Sequence, residues 1–157
     1  MVPVFTSPSR LTFLATALSL ALLAGCATAG PGVKAANDGL LVFGAKLGST
    51  GIPAGLAGVP AEETPCLKGR DFSYEARDVL IGYGHDGKIR KIMTRNPETS
   101  IYGIRSGDEF AAVKEKVLAA GFRETGTTHR YSGGCCLLTL FVDEAGRVFG
   151  LILELRD

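Results

Sequence analysis

The sequence lacks tryptophan altogether and has only two histidines and four cysteines among its 157 residues. An excess of charge of either sign is also missing. Arg10 is the only charged residue before position 26, so the rest of the chain carries sixteen basic and sixteen acidic side chains. A balanced chain without a basic stripe argues against nucleic acid as a partner. It also argues against broad electrostatic attraction to anionic lipid.

Motifs of the common enzyme classes are missing as well. The chain has no Gly-x-Ser-x-Gly nucleophile elbow and no glycine-rich loop followed by Gly-Lys-Ser/Thr. The two histidines, His85 and His129, lie far apart in sequence and no Cys-x-x-Cys pair accompanies them. We therefore predict no metal site, no cofactor and no catalytic residue, and we expect both histidines in exposed turns.

The longest apolar run is short and lies near the amino terminus. It extends over thirteen residues from Leu11 to Leu23, within the range of a signal peptide and too short to cross a bilayer. It ends in Leu23-Ala24-Gly25-Cys26, where two small residues precede a cysteine. This stretch resembles the lipobox of bacterial lipoproteins, whose signal peptide is removed before a cysteine that becomes lipid-modified.

The resemblance implies an envelope protein with a lipid anchor. Residues 1–25 would be the signal peptide, and acyl chains such as palmitate on Cys26 would hold the protein to the membrane. Residues 26–39 are rich in Ala and Gly and predict a flexible tether. Ala27 follows the cysteine where lipoproteins retained at the inner membrane have aspartate, which favours the periplasmic side of the outer membrane. An uncleaved membrane span extended to Ala29 is the alternative.

Residues 40–157 predict one domain with both strands and helices. Alternating apolar side chains indicate strands over 78–83, 135–142 and 147–155. An apolar stripe predicts a helix from Phe110 to Ala120, and a poorer one extends from Ile52 to Ala57. We expect eight side chains among the most buried: Leu138, Leu140, Val142, Phe149, Leu151, Leu153, Val113 and Val117.

The two halves of this domain match when the second is shifted by 59 residues. Gly44 then coincides with Gly103, Gly48 with Gly107, and the strand and hairpin residues agree in class. A lead-in with paired glycines, a helix and a Gly-[Lys/Arg]-[Ile/Val] hairpin resemble the SmpA/BamE-like lipoproteins and the β-lactamase-inhibitor-protein group. The resemblance implies an α+β fold with a non-enzymatic character. Two helix-plus-hairpin repeats, about 40–97 and 98–157, would place both helices on one face of an antiparallel sheet.

Three cysteines remain for the oxidising compartment that the lipobox implies. Adjacent residues on a strand point to opposite faces, so Cys135 and Cys136 cannot serve one site unless the chain turns there. We predict a disulfide from Cys66 to Cys136, with Cys66 to Cys135 as the alternative and no bond as a third possibility.

The functional prediction is a non-catalytic binding or scaffolding module for another envelope protein. On the last-but-one strand, Leu137 and Phe141 lie opposite the core face, where an antiparallel sheet normally presents polar residues to water. These two side chains therefore predict a protein-contact face. The alternative is a thiol redox protein or envelope enzyme that uses Cys135 or Cys136.

Overall fold

The computed structural model describes residues 32–156, and its main feature is an antiparallel sheet of eight strands. The first half of the chain gives β2 (Glu62–Cys66), β3 (Gly69–Tyr74), β4 (Val79–Gly84) and β5 (Ile89–Thr94). The second half gives β7 (Arg123–Glu124), β8 (Arg130–Gly133), β9 (Cys136–Val142) and β10 (Val148–Leu155). Their order across the sheet is β2-β3-β4-β5-β10-β9-β8-β7.

Smaller elements cover one side of this sheet. β1 (Leu40–Leu41) and β6 (Ser100–Ile101) pair as a separate two-stranded sheet. The helices are α1 (Val33–Asp38) and α2 (Phe110–Ala119), of six and ten residues. Buried residues of all four elements belong to one hydrophobic cluster with the large sheet.

The predicted α+β fold of two helix-plus-hairpin repeats is wrong. The structure is mostly antiparallel sheet, and α2 is its only helix longer than two turns among residues 32–156. Where the first helix was predicted, the chain forms a three-residue 3-10 turn, Ala54–Leu56, directly after Pro53. Gly55 approaches the backbone of Phe43 so closely that a Cβ atom would lie 2.9 Å from the Phe43 oxygen. The first half of the chain therefore has a tight turn where the second half has α2.

Two stretches that have no helix or strand pattern in the sequence are ordered. Within the segment 26–39, predicted to be a flexible tether, residues 33–38 form α1, which buries Ala36 completely. The Asn37 side chain accepts a hydrogen bond from Leu47 N at 2.7 Å and donates one to Leu47 O. Residues 61–70 include β2, whose five residues are all exposed and which is held by its backbone pairing with β3.

The core lies between the sheet and its cover. Leu138, Leu140, Leu151 and Leu153 on β9 and β10 are at most 2% exposed, and they belong to one cluster with the fully buried valines of α2. The predicted burial of these four leucines and of the two valines, Val113 and Val117, is confirmed. Val142 is only partly buried, and it packs against the cluster.

Phe149 is an exception to the alternation of β10, because it is 43% exposed. The register between β9 and β10 shifts between Val148 and Gly150, so one extra residue lies in β10 at that point. A β-bulge of this kind leaves the extra residue unpaired and redirects side chains. The expected burial of Phe149 is therefore wrong, although the strand itself was predicted.

Backbone geometry, rather than a helix, recurs at the 59-residue spacing. Phe43 and Tyr102 both have positive φ angles, 49° and 54°. Gly48 N donates to Ile89 O at 2.8 Å, and the equivalent bond in the second half, from Gly107 N, spans 2.7 Å. The same spacing separates residues that pair at the centre of each sheet, Leu41 with Ser100 and Met93 with Ile152. The recurring unit is thus a bend followed by antiparallel strands.

Candidate functional site

The sheet face opposite the core is the candidate contact face, and we call it the open face. Leu137 and Phe141 lie on it, and both are partly exposed. Their neighbours in β9, Cys136, Leu138 and Leu140, point into the core with at most 2% exposure. The structure therefore places the two predicted contact residues on one side of β9, as the alternation of the strand requires.

A row of three apolar side chains and one threonine crosses the middle of the open face. Strand pairing places Leu80 beside Met93, Met93 beside Ile152, and Ile152 beside Thr139. All four side chains are partly exposed. Leu80, Met93 and Ile152 were not among the predicted contact residues, because the order of β4, β5, β10 and β9 in the sheet cannot be deduced from the sequence. We call these four residues the central row.

One end of the open face is aromatic. The rings of Phe141 and Phe149 lie with their centroids 5.8 Å apart. Gly150 pairs with Phe141, and a Cβ atom at Gly150 would lie 3.1 Å from the ring carbon Cδ2. The same Cβ would lie 3.2 Å from Cγ of Arg95. The absence of a side chain at Gly150 therefore makes room for the Phe141 ring, and the bulge adds Phe149 to the same end.

The other end of the open face is ionic. Lys91 Nζ lies 2.6 Å from Asp71 Oδ2, and both side chains are largely buried. Between them in the sheet is Gly82, where a Cβ atom would lie 2.7 Å from the other Asp71 oxygen. Arg130 Nη2 lies 3.0 Å from Glu154 Oε1 and makes a second cross-strand pair. The open face thus runs from aromatic side chains, across the central row, to paired charges.

The cysteines do not pair as predicted. A disulfide joins Cys135 to Cys136, and Cys66 is exposed and is the free cysteine among residues 32–156. Neither of the two predicted bonds to Cys66 is present. The chain turns at Gly134, whose φ is +51°, and β9 begins only at Cys136, so the adjacent sulfurs are not held on opposite strand faces. In the bonded state neither sulfur is a thiolate, which is the nucleophilic form of cysteine.

The histidines show no catalytic partner in the described part of the chain. His85 is exposed, and its Nε2 lies 3.1 Å from the carbonyl oxygen of Leu67. The ring of His129 packs edge-on against Phe110 with centroids 4.4 Å apart. Within residues 32–156 neither histidine is bonded to a carboxylate or a hydroxyl, as a base that activates a nucleophile requires.

A shallow groove of about 830 Å³ lies at the end of the sheet beside the β2–β3 and β4–β5 turns. Its ionisable residues include Cys66, Asp71, His85, Asp86 and Lys91. The pKa of Asp86 is lowered, first by a hydrogen bond from Lys88 N and then by the side chain of Arg90. A general acid or base needs a pKa near the working pH, so a lowered carboxyl pKa does not suit Asp86 to that role.

Other kinds of site are also not found in the described residues. No group of three or more metal-ligating side chains converges between residues 32 and 156. Over the same range no helix is long and apolar enough to cross a membrane. The predicted lipidation site, Cys26, lies outside the described residues.

Comparison with known proteins gives no relative from which a role could be carried over. No protein-family model matches the chain, and neither a curated protein nor a solved structure shows significant similarity to it. The lipobox and the likeness to the SmpA/BamE-like lipoproteins therefore stay predictions.

Proposed function

We propose that this chain is a lipid-anchored envelope protein that binds another envelope protein through the open face and catalyses no reaction. One observation carries the proposal. Apart from the Thr139 hydroxyl, the central row and the aromatic end form an apolar strip on the sheet face where an antiparallel fold normally presents polar residues. Aromatic side chains and methionine are enriched in protein interfaces, and the strip contains both.

The distribution of charge supports a protein partner with a defined orientation. At one end of the strip Asp71, Lys91, Arg130 and Glu154 are already paired with one another. Paired charges at the edge of an apolar patch resemble the polar rim of an interface, which contributes register more than affinity. A matching partner presents an apolar strip that can reach Phe141 and Phe149, with polar groups facing the ion pairs.

The anchor supports the same role from the sequence. Removal of residues 1–25 and acylation of Cys26 would hold the domain at the periplasmic side of a membrane, the outer one being favoured by Ala27. A tethered binding module needs an anchor, a stable sheet and an exposed surface. We place the thiol redox alternative second, because Cys136 is fully buried and no acid or base is bonded to the Cys135–Cys136 disulfide within residues 32–156.

The test is site-specific photocross-linking in intact envelopes. A photoreactive phenylalanine analogue at Phe141 or Phe149 should capture one protein, and the same analogue at Leu118 should not. Leu118 is a matched control, because it lies on α2 and its 48% exposure is close to the 43% of Phe149. The captured band should also be lost in an Ile152→Lys background and retained with Leu118→Lys, since only Ile152 belongs to the central row.

Two results would contradict the proposal. One is capture that is equally strong from Leu118, or that survives Ile152→Lys, because the open face would then not be the contact. The other is a turnover that disappears when Cys135 or Cys136 is replaced, which would favour the redox alternative.

A further inference from the structure

The exposed apolar residues on the other side of the molecule form a second surface. Besides Leu118 of α2, three large apolar side chains are exposed there: Val33 at 39%, Leu41 at 67% and Ile52 at 65%. They lie in three segments of the cover, α1, β1 and the loop before Ala54. We call this set the cover surface.

The three segments are bonded to one another. Asn37 of α1 makes two hydrogen bonds to the backbone of Leu47, at 2.7 and 3.1 Å. Gly55 N donates to Phe43 O at 3.0 Å, which holds the loop after Ile52 against the chain that follows β1. The cover surface is therefore a connected part of the structure and not three independent loops.

Side-chain direction places Leu41 on the outside of the cover. In β1, Leu40 is 7% exposed and belongs to the core, whereas Leu41 is 67% exposed. Successive side chains of a strand point to opposite faces, so Leu41 points away from the large sheet. The open face is the opposite face of that sheet, so the large sheet lies between the open face and β1.

The length of chain before α1 limits where the cover surface can be. Seven residue steps separate Cys26 from Val33, which is at most about 25 Å of fully extended chain. Packed layers are about 10 Å apart, so the open face lies roughly one layer farther from the start of α1 than the cover does. If Cys26 carries the anchor, the short chain between Cys26 and Val33 places the cover surface closer to the bilayer than the open face.

We propose that the cover surface rests on the lipid bilayer, with Leu41 and Val33 in the interfacial region, and that the open face consequently points away from the membrane. The inference rests on the proposed anchor at Cys26. Apolar side chains at the boundary between headgroups and acyl chains are stabilised by removal from water. Two basic side chains, Lys34 and Lys46, and one acidic side chain, Asp38, are exposed in the same stretch of chain, and the excess of lysine suits the headgroup region, where cationic side chains are attracted to anionic lipid.

The absence of tryptophan makes a direct test possible. Leu41→Trp and Phe149→Trp each introduce a single tryptophan, one on the cover surface and one on the open face, at exposed positions. The full-length chain, purified with its anchor, is reconstituted on phosphatidylethanolamine and phosphatidylglycerol vesicles with or without brominated acyl chains. Bromine quenches tryptophan fluorescence only at short range.

We expect the fluorescence of the Leu41→Trp protein to be quenched and blue-shifted, and that of Phe149→Trp to be unchanged. Quenching of Phe149→Trp as strong as that of Leu41→Trp would overturn the orientation. No quenching of either protein, while both still co-sediment with vesicles, would overturn the contact and leave the anchor in place. Undiminished co-sedimentation of a Cys26→Ser variant would contradict the anchor itself, and this inference with it.

Discussion

Phe149 and Leu151 lie two residues apart on β10, and replacing each with alanine should destabilise the fold to clearly different extents. Simple alternation of the strand would bury both side chains equally. The bulge between Val148 and Gly150 leaves Phe149 43% exposed, whereas Leu151 is fully buried. We therefore expect the smaller side chain to matter more for stability.

The expected magnitudes follow from burial. Leu→Ala at a fully buried site costs about 2–5 kcal/mol of unfolding free energy, and about 3 kcal/mol is a central value for Leu151. A half-buried Phe149 ring loses about 1 kcal/mol of transfer free energy. Its contact with Phe141, at 5.8 Å between centroids, adds about 0.5 kcal/mol. At about 4 °C per kcal/mol for a domain of this size, Tm should fall by about 12 °C for Leu151→Ala and by about 6 °C for Phe149→Ala.

Urea unfolding followed by circular dichroism gives the loss of unfolding free energy for each variant. Every sample is the chain from residue 26 with Cys26→Ser. An unchanged m-value shows that the two variants unfold from comparably compact states. The reasoning is refuted if Phe149→Ala costs as much as Leu151→Ala, about the 3–5 kcal/mol typical of a buried phenylalanine. That result would mean that the ring is in the core and that the bulge is absent. The aromatic end of the open face would then not exist.

Alkylation of the native protein should modify Cys66 and leave the Cys135–Cys136 pair protected until a reductant is added, as peptide mass spectrometry would show; protection of Cys66 would contradict this pairing. Gly69→Ala should prevent folding or cost more than about 3 kcal/mol, since φ is 146° and a Cβ would lie 1.9 Å from a carbonyl oxygen of β4. Gly126→Ala, with nothing within 4 Å, is the matched control, and equal stability of the two variants would contradict the geometry. Burial raises the pKa of Tyr102 from 10.0 to about 12, so the folded state keeps a proton that the unfolded state loses. The urea midpoint should therefore fall as pH rises between these two values, and Tyr102→Phe should fall less steeply.

The second half of the chain was predictable because local signals agreed there. The stripe of Val113 and Val117 indicated α2, and alternation indicated β9 and β10. In the first half one local signal of the same kind is present, because Asp86-Gly87 is a typical hairpin-turn sequence and Gly87, between β4 and β5, has φ +72°. In each case the burial pattern within a few residues was enough to specify the element.

The prediction for the first half of the chain was wrong at the elements whose structure depends on tertiary contacts. β2 has no buried face, so it carries no alternation, and only its pairing with β3 makes it a strand. α1 is a six-residue helix that is held by Asn37 and by the buried Ala36, neither of which marks a helix in the sequence. Isolated helices of that length are not stable alone, so propensity could not have revealed it.

The open face was only partly predictable for a related reason. Leu137 and Phe141 followed from alternation within β9. Predicting the central row would have required the order of four strands, and predicting the exposure of Phe149 would have required the position of a β-bulge. Neither can be read from the sequence of one strand. The vicinal disulfide was not among the predicted pairings, because Cys135 and Cys136 can share one site only where the chain turns, and Cys135 does lie in the turn before β9.

The backbone geometry repeats at a spacing of 59 residues, whereas the side chains on the open face do not. This difference bears on the proposed partner. Positions related by 59 residues share φ angles and hydrogen bonds, yet on the open face they carry different side chains. Lys91 corresponds to Gly150, and Gly82 corresponds to Phe141. Lys91 spans the gap at Gly82 to reach Asp71, whereas Phe141 fills the space that Gly150 leaves. A partner that contacts both ends of this face meets paired charges of both signs at one end and two aromatic rings beside Arg95 at the other, so the two ends distinguish the two possible docking orientations, even though the frame beneath is nearly two-fold.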